Sequence, residues 1–308
     1  MDLKRDKPLV DLVFAAYSVV LAGVWMFAAE TAHVGRAMVA LHLFAAGLLV
    51  QLPATGVRGA SPWTALRRGY PYVAWVLAWS ELGWLHRLHV PVGHDAGVLV
   101  VDQALFGVHW HQRWAEIMPW SGLGEILHLS YLSYYLLILG PPAALALARR
   151  RADLDRFTLG LMATYLVCFL VYLALPVYGP RALAVGRGVV EPVVDGGVMA
   201  GLVEALRRAG DSPGTAFPSS HCAGVTAVAL LARRCFSPAT GRWLAVWAAL
   251  VVASTVYTRN HYALDAVAGV LTAGLVHRVV VFAECRRAGV DRLPAGGRRL
   301  ADTERSWS

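Results

Sequence analysis

The 308-residue chain has little charge and almost no lysine. Charged residues make up 16% of it, where soluble domains hold about 25%. Lys4 and Lys7 are the only lysines, so arginine carries the net charge of +8. The four cysteines, Cys168, Cys222, Cys235 and Cys285, lack metal-ligand spacing, which excludes a cysteine-based metal module. They read as inert buried or cytoplasmic thiols. No internal repeat or soluble domain is visible. The first apolar block follows "MDLKRDK" without a small-residue cleavage pattern, so no signal peptide is expected.

What the chain has is apolar surface. Hydrophobic residues make up 57%, mean hydropathy is +0.52, and the apolar residues come in long blocks. These features predict an all-α fold: a polytopic membrane helical bundle. Eight spans are expected, near 9–29, 36–53, 71–88, 122–147, 157–177, 219–234, 240–258 and 262–284. Residues 1–288 read as a single transmembrane catalytic domain, with a six-helix core over roughly 100–285. Residues 289–308 read as a flexible cytoplasmic tail.

Basic residues cluster at Lys4–Lys7, Arg58–Arg68, Arg149–Arg156, Arg233–Arg242 and Arg286–Arg287. With eight alternating spans, all fall on one face. The positive-inside rule makes that face cytoplasmic, with both termini inside a cell membrane. Membrane lipids, not nucleic acid, are then the expected partners of the basic charge.

Three polar clusters fall on the opposite, outer face. In "YTRNHYALD", His261 and Asp265 are four apart, so both share one helix face. A carboxylate there can fix the imidazole tautomer and leave the other nitrogen basic. The pair can equally serve only to tie its helix to a neighbour. In "FPSSHCAG", Pro218, Ser219 and Ser220 suit a helix start, whose free amides attract phosphate. His221 can then protonate a leaving group, or stand as an interfacial histidine on a capped helix. In "VYGPRALA", Arg181 follows a Gly-Pro turn and offers a planar fork for phosphate oxygens. It can equally be an ordinary interfacial arginine, and Arg259 is a second candidate for that task.

These residues resemble the type 2 phosphatidic acid phosphatase superfamily of membrane lipid phosphatases and phosphotransferases. Pro218-Ser219-Ser220-His221 is similar to its second motif, and the His261…Asp265 spacing to its third. Pro180-Arg181 is the nearest match to its first. The family's usual lysine and third-motif arginine are replaced by Ala174 and Thr255. "FPSSH", "NHYALD", "VDQALFG" and "YLSYYLL" look like the branch containing inositol phosphorylceramide synthases.

The resemblance implies an enzyme working without cofactor or metal on a lipid phosphate. His261 would be the nucleophile, Asp265 its orienting partner, and His221 the general acid and base. Arg181, Ser219, Ser220 and Arg259 would bind phosphate oxygens. Hydrolysis to water and transfer of a head group, such as inositol phosphate, to a ceramide-like alcohol both fit. An anion or lipid transporter is the non-enzymatic alternative, with Glu81 and Asp102 as intramembrane charges. A metal site among His86, His89, His94, His109 and His111 is also conceivable. Against it, "HWH" puts His109 and His111 two apart, a poor spacing for one helix face. Interfacial histidines are the expectation, as are belt aromatics or headgroup contacts at Tyr178 and Tyr262.

Overall fold

The computed structural model describes residues 8–28, 32–51, 62–89, 93–118, 121–182, 197–210 and 212–289. The predicted tail from 290 onward, Lys4, Lys7 and Arg58 lie outside the described residues. Regular structure among those residues is helical, apart from one parallel bridge between Val177 and Thr215. The chain groups into two compact units, residues 1–90 and 91–308.

The first unit holds α1 (Leu9–Ala28), α2 (Ala32–Gln51) and α3 (Pro62–His89). Its few buried polar groups answer one another. Arg67 and Tyr70 of α3 donate to the Asp11 carboxylate of α1. Glu81 of α3 accepts from Trp25 of α1 and lies 2.7 Å from His42 Nε2 of α2. An intramembrane carboxylate is costly unless it is paired in this way. Glu81, weighed above as a mark of a transport pathway, therefore ties three helices together.

The second unit holds α4 (Asp95–Phe106), α5 (Trp110–Ile117), α6 (Ser121–Leu132), α7 (Tyr134–Leu147), α8 (Arg151–Ala174), α9 (Val198–Gly210), α10 (Ser220–Cys235), α11 (Pro238–Tyr257) and α12 (Ala263–Arg287). Helices α1, α2, α8, α11 and α12 are long and apolar enough to cross a membrane. The protein is therefore a multi-pass membrane bundle. The span expected over 122–147 is two helices, α6 and α7, bent by 41° and together long enough for a sixth crossing. At the bend, Ser133 Oγ donates to the Ser130 carbonyl and accepts 2.6 Å from Trp247 Nε1 of α11. Two expected spans fall short of that test. Helix α10 has only 16 residues, and α3 carries Arg67, Arg68, Glu81 and Arg87.

Helix α10 is the packing centre of this unit, set against α7, α8, α11 and α12. Lipid offers no hydrophobic drive between helices, so close approach through small residues must hold them. The sequence supplies them. A Cβ on Gly224 of α10 would collide with the Tyr165 hydroxyl of α8. A Cβ on Gly269 of α12 would collide with the Ser219 carbonyl at the head of α10. The outer side of α12 is the reverse: Leu271, Leu275, Val279 and Phe282 are exposed in one stripe, as a lipid-facing surface requires.

These helices share two polar ends. At one, Glu284 of α12 pairs with Arg156 of α8 and Arg234 of α10, and Asp153 pairs with Arg150 and Arg156. At the other lie the starts of α10 and α12 and the segment after α8, which carry the three polar clusters.

Candidate active site

Ser219 is the N-cap of α10, and its Oγ accepts 3.2 Å from the Cys222 amide. The Ser219 amide donates 3.0 Å to the Asp265 carbonyl. The Ser220 amide donates 3.0 Å to the Tyr172 hydroxyl, which donates to the Pro218 carbonyl. The sequence suggested free amides here. Those of Ser219, Ser220 and Cys222 are engaged instead, because a buried helix start cannot leave its donors unpaired. Ser219 and Ser220 thus build the helix head, and the positive end of the α10 dipole still faces the site.

His261 sits in the turn between α11 and α12 and is 5% exposed. The turn is a Schellman closure. The Asn260 amide donates to Thr255 O and the Arg259 amide to Val256 O. Arg259 holds the left-handed position at φ 57°, where glycine is usual. His261 Nδ1 lies 3.0 Å from the Ala216 carbonyl and 3.5 Å from Asp265 Oδ2. The Asp265 pairing read from the sequence is present, but the nearer acceptor is a backbone carbonyl. A carbonyl can only accept, so Nδ1 carries the proton and Nε2 holds the lone pair. Asp265 Oδ2 also accepts 2.8 Å from the Tyr262 amide, which caps α12. Among the described residues, its buried Oδ1 has no hydrogen-bond partner.

His221 occupies the first turn of α10, 5.7 Å from His261 between ring centroids. Tyr131 stacks on it at 5.0 Å with an interplanar angle of 26°, and its hydroxyl lies 3.2 Å from His221 Nε2. Tyr134 tilts against the ring at 4.4 Å. Two motifs forty residues apart thus place two imidazoles side by side between aromatic walls.

The first cluster is fastened to both. Ala216 N donates 2.8 Å to Val177 O, so the segment carrying Arg181 lies along the segment leading to His221. Asp95, at the start of α4, accepts from the amides of Tyr178 and Gly179 and from the Tyr262 hydroxyl. Gly179 has φ +86°, and a Cβ there would stand 3.2 Å from Ala216 Cβ and 3.3 Å from Asn260 O. Only glycine fits between the three motifs at that angle. Tyr262 is wholly buried, so neither role weighed for it from sequence applies; it braces Asp95.

Arg181 Nη1 donates 3.0 Å to Glu204 of α9, which also holds Arg207 and Arg208. Burial, and then the charge of Arg207, push the Arg181 guanidinium below its usual range; Glu204 opposes this. Arg259 adds to that push, so the two arginines share one field.

Sequence reasoning missed several residues. Nothing in the local sequence around Tyr131, Tyr134 or Asp95 marks a place beside the histidines. Thr255, where the wider family keeps an arginine, is wholly buried. Its Oγ1 donates to Val252 O, and it meets Cys222 Sγ at 3.3 Å. Asp102 is wholly buried and accepts 2.8 Å from the Leu264 amide. That hydrogen bond places Asp102 at the head of α12. His109 is not in a helix but is the N-cap of α5, so the two-residue spacing does not separate it from His111. Asp102, His109 and His111 each bring a ligand atom within 4.8 Å of the others.

Compared with known proteins, residues 96–279 match the family model of the PAP2 superfamily. No curated protein and no solved structure matched the chain.

Proposed function

Because this chain belongs to the PAP2 superfamily, a family of phosphatase and phosphotransferase type, we propose that it is an integral membrane lipid phosphatase or phosphotransferase working through a phosphohistidine. The observation that carries the reading is the meeting of His221 and His261, 5.7 Å apart, with His261 Nδ1 turned to a carbonyl. That geometry leaves His261 Nε2 as the nucleophile. Its lone pair attacks phosphorus and the bond to the lipid oxygen breaks. His221 gives its proton to the departing alkoxide. In the second step His221 takes a proton from water or an alcohol, whose oxygen attacks phosphorus. The P–N bond breaks and His261 is restored.

Asp265 sits 3.5 Å from His261 Nδ1 and supports the positive charge the ring gains. Arg181 and Arg259 hold the phosphate oxygens and offset transition-state charge. Ser219 and Ser220 hold the α10 head against that phosphate. The His221 to Tyr131 contact keeps the proton-carrying ring in place. The arginine groups at Arg149–Arg156, Arg233–Arg242 and Arg286–Arg287 support a cytoplasmic position for that end of the bundle, and so an outer-face site. On this reading one membrane domain spans 1–288, both termini are cytoplasmic, and membrane lipids surround it.

Hydrolysis and head-group transfer share this chemistry and differ in the second-step acceptor. Inositol-phosphate-type transfer to a ceramide-like alcohol is the transferase form. A lipid-phosphate panel presented to purified protein, following free phosphate and head-group transfer together, tests the reading. Release or transfer that vanishes in His261→Ala supports it. Full turnover by His261→Ala contradicts it.

A further inference from the structure

Asp102, His109 and His111 lie beside the phosphoryl-transfer residues but take no part in the chemistry proposed for them. Three observations set the group apart. Asp102 is wholly buried, and while its Oδ1 accepts from the Leu264 amide, its Oδ2 has, among the described residues, only His109 Nδ1, 3.5 Å away. A buried carboxylate with one oxygen so weakly met calls for a cation. His111 is 3% exposed, and among the described residues its buried Nδ1 has no hydrogen-bond partner. Finally, the three side chains bring ligand atoms within 4.8 Å of one another. Two ligands about 2.1 Å from one tetrahedral ion stand about 3.4 Å apart, close to the His109–Asp102 separation.

We infer that Asp102, His109 and His111 form a binding site for one divalent transition-metal ion of the zinc class. Two imidazoles and one carboxylate suit zinc among divalent ions, with a water completing the tetrahedron. The Leu264 amide on Asp102 Oδ1 holds that carboxylate from behind, as supporting hydrogen bonds do around metal ligands. The nearby Arg259 charge, felt by His111, opposes a cation there; the Asp102 carboxylate offsets it. The ion pins the start of α5 to α4 and, through Leu264, to the first turn of α12. The third-motif turn would thereby be braced from the side opposite α10. This departs from the metal-free expectation above, and it stands whether or not His261 is a nucleophile.

The test uses the full chain, purified in detergent, stripped with a chelator and then titrated with Zn²⁺ or Co²⁺. The expected result is about one zinc per chain by elemental analysis. Co²⁺ should give the visible bands of a tetrahedral N/O site, and saturating Zn²⁺ should raise Tm by about 5–10 °C. Asp102→Asn, which keeps an acceptor for Leu264, and His109→Ala, at the more exposed ligand, should each weaken zinc binding at least tenfold. Wild-type protein that takes up no zinc and gives no Co²⁺ bands overturns the inference. So does unchanged affinity in both variants. The Co²⁺ spectrum of wild-type protein decides the matter even where a variant fails to fold.

Discussion

The two ends of the C-terminal bundle are built on the same helices and surround their central side chains differently. Both even close a helix in the same way. Arg149 after α7 and Arg259 after α11 each occupy the left-handed position of a Schellman turn. At the Arg149 end, Asp153 and Glu284 are shared among Arg150, Arg156 and Arg234, so ion meets ion. At the Arg259 end, the nearest partner of each histidine is a neutral group, the Ala216 carbonyl for His261 and the Tyr131 hydroxyl for His221, with the Asp265 carboxylate farther from His261 at 3.5 Å. A network of opposite charges fixes protonation states and locks helices. Neutral partners orient an imidazole and leave its proton free to move. On the proposed reading, the difference separates a fastening from a reactive site on one scaffold.

The strongest way to sharpen this contrast is His261→Ala, which should lower turnover by about 10³–10⁶-fold without lowering Tm. His221→Ala should cost about 10²–10⁴-fold on a lipid substrate. It should cost far less on an aryl phosphate, whose leaving group needs no proton. A similar loss on both substrates would move His221 out of the leaving-group role. Gly269→Val should push α12 off the Ser219 carbonyl, costing about 1–3 kcal/mol by thermal unfolding, with activity falling alongside.

The smallest effects compare the ends directly. Arg259→Gly and Arg149→Gly should each relieve a left-handed arginine and stabilise the fold by about 0.5–1 kcal/mol. Only Arg259→Gly should weaken turnover or raise KM. Equal activity in both would remove Arg259 from the phosphate site. At the fastening end, Glu284→Gln should cost about 1 kcal/mol of stability and leave kcat unchanged.

Much of this contrast was legible in the sequence, because arginine runs and short histidine motifs are local signals. The i,i+4 spacing marked His261 and Asp265 as candidates, the helix start at Pro218 marked His221, and the Gly-Pro turn raised Arg181. The seats of several helices could be read from apolar length. What escaped were contacts that depend on the path of the backbone. No pattern announces that the Ala216 carbonyl reaches His261 before Asp265 does, or that Tyr172 takes the Ser220 amide. Asp95 sits 83 residues before the Tyr178 amide it holds, and nothing in its neighbourhood marks it. The break at Ser133 lies within one apolar block, so hydropathy joins what the backbone bends. His109 lies just before the first residue of its helix, Trp110, so a rule for residues on one helix face does not govern the His109–His111 pair.

The most direct test of the central claim is to trap the phosphoenzyme by rapid acid-free quenching with a ³²P-labelled lipid phosphate and map the label. The account predicts an acid-labile, alkali-stable phosphoramidate on the peptide carrying His261, absent from His261→Ala. Label on any other residue, or label retained in His261→Ala, would contradict it.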